Sequence, residues 1–121
     1  MEATLGMTLT SRKVGKVLIF DITGNVVDRE GARSLMTTLL DSIKEGHRKI
    51  ILNMVKVEFI DGYGIGGLVF VSNTLRDKNG GGAIKLLSLT DRVKKMMELT
   101  EVYNTIFEIF EDEEKALASF K

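Results

Sequence analysis

A single α/β domain on a mixed, mostly parallel sheet is the fold this sequence predicts, and three observations predict it. Runs of strand character alternate with segments of helical apolar periodicity along the whole chain. One of those runs, Ile50 to Val55, is apolar almost without interruption, as a parallel strand covered on both faces is. The length, 121 residues, suits one hydrophobic core and leaves no room for two ligand-binding halves, so residues 1–121 form one domain.

Met7 and Leu9 alternate with polar neighbours, Arg12-Lys13-Val14-Gly15-Lys16 has turn character, and Val17 to Ile22 is rich in β-formers. Together they predict an opening hairpin. Ala32, Leu35, Met36, Leu39, Leu40 and Ile43 share one face of a helix that Asp28 precedes and Gly46 ends. After the strand at Ile50 and a cluster of glycines, Ile65, Leu68, Val69, Ser72 and Leu75 mark a second helix, closed by Asn79-Gly80-Gly81-Gly82. Ala83 to Leu89 is the next strand. Thr90 caps a short helix that carries Val93, Met96, Met97 and Thr100 on one side. Thr105 to Phe110 is a last strand, and Asp112-Glu113-Glu114 opens a terminal helix through Phe120, its carboxylates at the end the macrodipole favours. The expected domain has about five strands, parallel after the hairpin, and about four helices.

Seventeen basic side chains balance seventeen acidic ones, so no global positive field draws nucleic acid or an anionic membrane. The absence of cysteine removes disulfides, thiolate metal sites and a cysteine nucleophile together, and it fits the cytosol. MEATLGMTLT lacks a basic segment leading into an apolar one, and no apolar run approaches the roughly 20 residues that cross a bilayer. A cytoplasmic protein without membrane insertion is expected. The one histidine, His47, lies beside Arg48 and Lys49 past a helix end, where positive charge suits the dipole, and a lone His without Cys makes no metal set. Glu58 and Asp61 are close in sequence but have no partner that would tune either for acid–base chemistry. No catalytic residue, metal or cofactor is expected.

The segment Asp61-Gly62-Tyr63-Gly64-Ile65-Gly66-Gly67 supports two expectations. Gly62, Gly64 and Gly67 satisfy G-x-G-x-x-G between a strand and a helix, the context of a dinucleotide loop, with Asp91 after the next strand as the acidic partner. Against that, the spacing to Asp91 exceeds the usual ~20 residues, and such glycines ordinarily open the first βα unit. The other expectation begins at Asp61, placed to cap the second helix by accepting from the N–H of Tyr63 or Gly64. Glycines in the first turn strip that helix end of side chains, so another backbone, or a phosphate, can come close to the positive end of the dipole.

Val57, Phe59, Ile60, Asp61, Gly64, Ile65 and Gly66 make up a V-x-F-I-D strand end followed by a small-residue turn and a G-[ILV]-G helix start. This resembles the signature of STAS domains, the family of bacterial anti-sigma factor antagonists, and the order of elements, with Thr23-Gly24 before the first helix, extends the likeness over nearly the whole chain. The resemblance implies a STAS-like fold and a non-enzymatic protein-interaction role. Its partner would be an anti-sigma factor, often a serine kinase, bound through a surface at Asp61, Gly62, Tyr63, Gly64, Ile65 and Gly66 so that a sigma factor is released. In the family a serine or threonine directly after the matching aspartate is phosphorylated and the complex parts. One like-charge encounter at 4 Å costs about 4 kcal/mol at an effective dielectric near 20, roughly a thousandfold in affinity. Here that position is Gly62, which has no hydroxyl, and a kinase aligned on it would not place the Tyr63 phenol in the same spot. Asn53 stands where many relatives have aspartate. The alternatives are a small nucleotide-binding module using the glycines, or a STAS subunit of a lipid-transport or stress-sensing assembly.

Overall fold

The sheet grows in chain order. In the computed structural model, which describes residues 7–78, 80–100 and 107–120, β1 (Met7–Val14) pairs antiparallel with β2 (Val17–Gly24). β3 (Lys49–Lys56), β4 (Ala83–Leu87) and β5 (Ile109–Phe110) then add in parallel, giving the order β1-β2-β3-β4-β5. Between them run α1 (Asp28–Lys44), α2 (Gly62–Arg76) and α3 (Asp91–Leu99), and α4 (Glu113–Ala118) follows the last strand.

Side chains alternate along each strand and so serve two cores. Leu18, Phe20, Ile22, Ile50, Leu52, Met54, Ile84 and Leu86 join α1, α2 and α3 in the larger one. Val17, Ile19, Ile51 and Leu87 point the other way and meet Ala116 of α4, with Phe110, Leu117 and Phe120 around them. β3 is covered on both faces, which explains its continuous apolar run, and Ile50, Ile51 and Leu52 are fully buried. Met97 is buried, and Met36 and Met96 pack against the larger core. No helix among the described residues is long and apolar enough to cross a membrane.

Several boundaries differ from expectation for local reasons. The hairpin turn is only Gly15-Lys16, with Gly15 at φ 62°; Arg12, Lys13 and Val14 belong to β1, an edge strand, where charged side chains are tolerated. α2 begins at Gly62 with Asp61 as its cap, as the position of Asp61 predicts, so Gly62, Gly64, Gly66 and Gly67 lie within its first turns. It ends at Arg76, before Gly80, Gly81 and Gly82; Asn79 lies outside the described residues. β4 stops at Leu87 because Ser88, at φ 59°, turns the chain out of the strand. β5 is confined to Ile109–Phe110, while Thr105 and Ile106 of the expected strand lie outside the described residues. α4 spans Glu113–Ala118, capped by Asp112, and stops short of Phe120.

Candidate functional site

β3 delivers the chain to the sheet's carboxyl edge, where three β-to-α turns lie side by side. Val26, before α1, donates to the Phe59 carbonyl at 3.0 Å, and Asp61 donates back to the Val26 carbonyl at 3.2 Å. Ile60 pairs with Val26 as an isolated parallel bridge, and both are fully buried. From the far side the Thr90 hydroxyl donates to the Val57 carbonyl at 3.3 Å while accepting from the Val93 N–H, so it caps α3 and ties it to the β3–α2 turn.

Asp61 caps α2 as its sequence position predicts: Oδ1 accepts from the Gly64 N–H at 3.0 Å. Oδ2 does something no local pattern shows, accepting from the N–H of Asp28 at 2.7 Å. Asp28 is the first residue of α1 and sits at φ 55°, a left-handed conformation that Asp tolerates better than most residues. Its own carboxylate accepts from the N–H groups of Glu30 and Gly31. One carboxylate therefore joins the starts of two helices. The signal that could have found this pairing is long-range, since the two residues lie 33 positions apart.

The glycines divide into two kinds. A Cβ on Gly64 would lie 2.6 Å from the Val26 carbonyl oxygen and 2.7 Å from Ile60 Cγ1, and one on Gly67 would meet Met36 Cγ at 3.0 Å. These two are where α2 seats against the β2–α1 connection and α1. Gly62 and Gly66 face outward with open space around a Cβ. Of the six predicted surface residues, Gly62, Tyr63 and Gly66 are exposed and Asp61 is half-buried. Gly64 and Ile65 are buried, so they shape the surface from beneath. Tyr63, 52 % exposed, lies beside the Arg29 guanidinium, 5.7 Å from its ring centre, and Phe70, also 52 % exposed, continues the same stripe two turns on.

A dinucleotide would need Gly64 open to the pyrophosphate, yet Gly64 is turned into a packing contact with Val26 and Ile60. The strand order also lacks a reversal, and it is at such a reversal that open α/β sheets form their ligand crevice. Asp91 opens α3 as an exposed first-turn residue.

Among the described residues, the groups whose titration is clearly shifted lie on the sheet's other face. Arg12 bonds Asp21 at 2.7 Å and Glu113 of α4 at 2.7 Å, and these bonds hold both carboxyls below the usual range. The Asn53 amide donates to Asp21 at 2.7 Å, a contact an aspartate at position 53 could make only by setting two carboxylates together. His47, half-buried after α1, donates its backbone N–H to the Ser42 carbonyl. Among the described residues no cluster of three or more His, Cys, Asp or Glu side chains could hold a metal.

The sequence pattern of the STAS domain matches residues 8–116. BtrV of Bordetella bronchiseptica, provisionally named an anti-sigma factor antagonist, is 28% identical over 115 residues, covering 95% of this chain and 96% of its own length. Two solved structures share the fold. An anti-sigma factor antagonist from Mycobacterium paratuberculosis is 16% identical with a TM-score of 0.82, over 98% of this chain and 97% of its own. The Bacillus protein SpoIIAA in its unphosphorylated form is 18% identical with a TM-score of 0.78, over 93% and 96%.

Proposed function

Because the chain belongs to the STAS domain family, we propose that it is an anti-sigma factor antagonist: a cytoplasmic, non-enzymatic protein that binds a serine kinase-like anti-sigma factor and frees a sigma factor. The role assigned to relatives supports this. The observation that carries it is the start of α2, where exposed Gly62, Tyr63 and Gly66 stand on a base fixed by Asp61, Gly64 and Ile65. Such a base holds the contact surface in one shape before a partner arrives, which lowers the ordering cost of binding.

Position 62 offers no hydroxyl, so serine phosphorylation there does not end the complex. Release works by another route or by concentration alone. A charge supplied at Gly62 tests the surface: a Cβ there meets nothing within 4 Å, so Gly62→Glu folds normally. The purified native chain binds the kinase-like anti-sigma factor of its own host, and Gly62→Glu binds roughly a thousandfold more weakly, in line with one like-charge encounter. If neither protein binds any such factor, the antagonist role is wrong. Stoichiometric transfer of labelled phosphate to the segment around Gly62 by that kinase would instead sink the loss of serine-type control.

A further inference from the structure

From Gly62 to Leu75, α2 carries no charged side chain. A surface helix ordinarily puts charges on its outer face; here that face shows Gly62, Tyr63, Gly66, Phe70 and Asn73, none of them charged. The neighbouring α1 sorts its charges. Glu30, Asp41 and Glu45 line grooves shared with β1. On the flank toward α2 lie cations instead: Arg29 over the Tyr63 ring, Arg33 one turn later, and Lys44 in a groove with Thr74 and Lys78, where Asp41 is the one carboxylate.

We propose that this surface docks an acidic amphipathic helix of a partner protein. Its apolar ridge lies on Tyr63, Gly66 and Phe70, and its carboxylates lie over Arg29, Arg33 and Lys44. This deepens the proposed function and rests on it for the identity of the partner, while naming the chemistry that partner presents. Charge and shape select the occupant. In a two-fold pair this face would meet itself and find no acidic row, because α2 carries no carboxylate and the α1 carboxylates turn mainly toward β1. A bilayer is served by a continuous row of bulky apolar side chains. Here Gly62 and Gly66, with open space where a side chain would stand, interrupt the row beside the aromatics and let a helix ridge come close to the α2 backbone.

The test is an NMR titration of the isotope-labelled full chain with two synthetic helical peptides of about 18 residues, roughly five turns. Both carry the same leucine ridge; one has Glu and the other Lys on its polar face. The Glu peptide is expected to shift the amides of Gly62 to Phe70 and of the Arg29–Lys44 flank, and to bind about tenfold more weakly to an Arg33→Glu/Lys44→Glu variant and in high salt. Equal binding of the Lys peptide, shifts centred elsewhere, or no binding of either peptide overturns the proposal. So does association with phosphatidylglycerol vesicles, but not phosphatidylcholine ones, through the same amides, which would make the surface a membrane contact. An anti-sigma factor that binds the native chain and the double variant alike refutes the acidic helix and leaves the antagonist role standing. Docking of the Glu peptide without any anti-sigma factor binding does the reverse.

Discussion

Asp61 and the glycines around it make opposite predictions for substitutions that look alike. Gly64→Ala sets a methyl 2.6 Å from the Val26 carbonyl oxygen, so α2 must shift; a loss of about 1–3 kcal/mol in urea unfolding is expected. Gly66→Ala meets no neighbour and replaces glycine within a helix, so it stabilises by about 0.5–1 kcal/mol in the same measurement. A destabilised Gly66→Ala, or a neutral Gly64→Ala, would show that the two glycine faces have been assigned the wrong way round. Asp61→Asn keeps an acceptor for Gly64 but turns an amide donor toward the Asp28 N–H. Hydrogen exchange at Asp28 should then quicken while Gly64 stays protected. Equal loss at both would mean that the cap on α2 and the tie to α1 are not separable.

α4 is six residues long, too short to hold its helix without docking. Two clasps and a small apolar contact keep it on the sheet. At its start Glu113 meets Arg12, which also holds Asp21. Past its end the buried Lys85 ammonium donates to the Ser119 carbonyl at 3.1 Å and hydroxyl at 2.8 Å, pairs with Glu108 at 2.9 Å, and sits 4.3 Å from the centre of the Phe120 ring. Lys85→Met should let the amides from Ala116 to Phe120 exchange faster while β2 and β3 keep their protection; unchanged exchange there would assign α4's attachment to its apolar contacts alone. The Arg12 clasp carries a pH signature. Asp21 and Glu113 are held below the ordinary carboxylate range when folded, so their contribution is complete above that range, near pH 4, and is lost as pH falls through the depressed values. The urea midpoint should fall less steeply with acid in Arg12→Ala than in the native chain, and the difference should shrink in salt because these groups are about a third exposed.

The whole molecule owes its stability to β3, the strand with a core on each side. The amides of Ile50, Ile51 and Leu52 should exchange only through global unfolding, at the free energy that denaturant reports. Faster exchange there than in β2 would place the stable centre elsewhere. This architecture was legible because apolar period and strand–helix alternation are local properties: β3, the apolar faces of α1 and α2, and the caps at Asp61 and Thr90 all followed from nearby residues. What was not legible depends on pairings across the chain. The Asp61 tie to Asp28, the burial of Gly64 against Val26, and the Arg12–Asp21–Glu113 chain each join residues that periodicity cannot relate. At the site, Gly62 and Tyr63 are exposed, and Ile65 turns inward with the apolar face of α2 on which its spacing places it, so its position was legible from periodicity. The unreversed strand order has one more consequence, for synthesis. Each strand joins the growing edge beside its predecessor, so a chain leaving the ribosome can extend its sheet one strand at a time, without opening a formed pair to admit a later arrival.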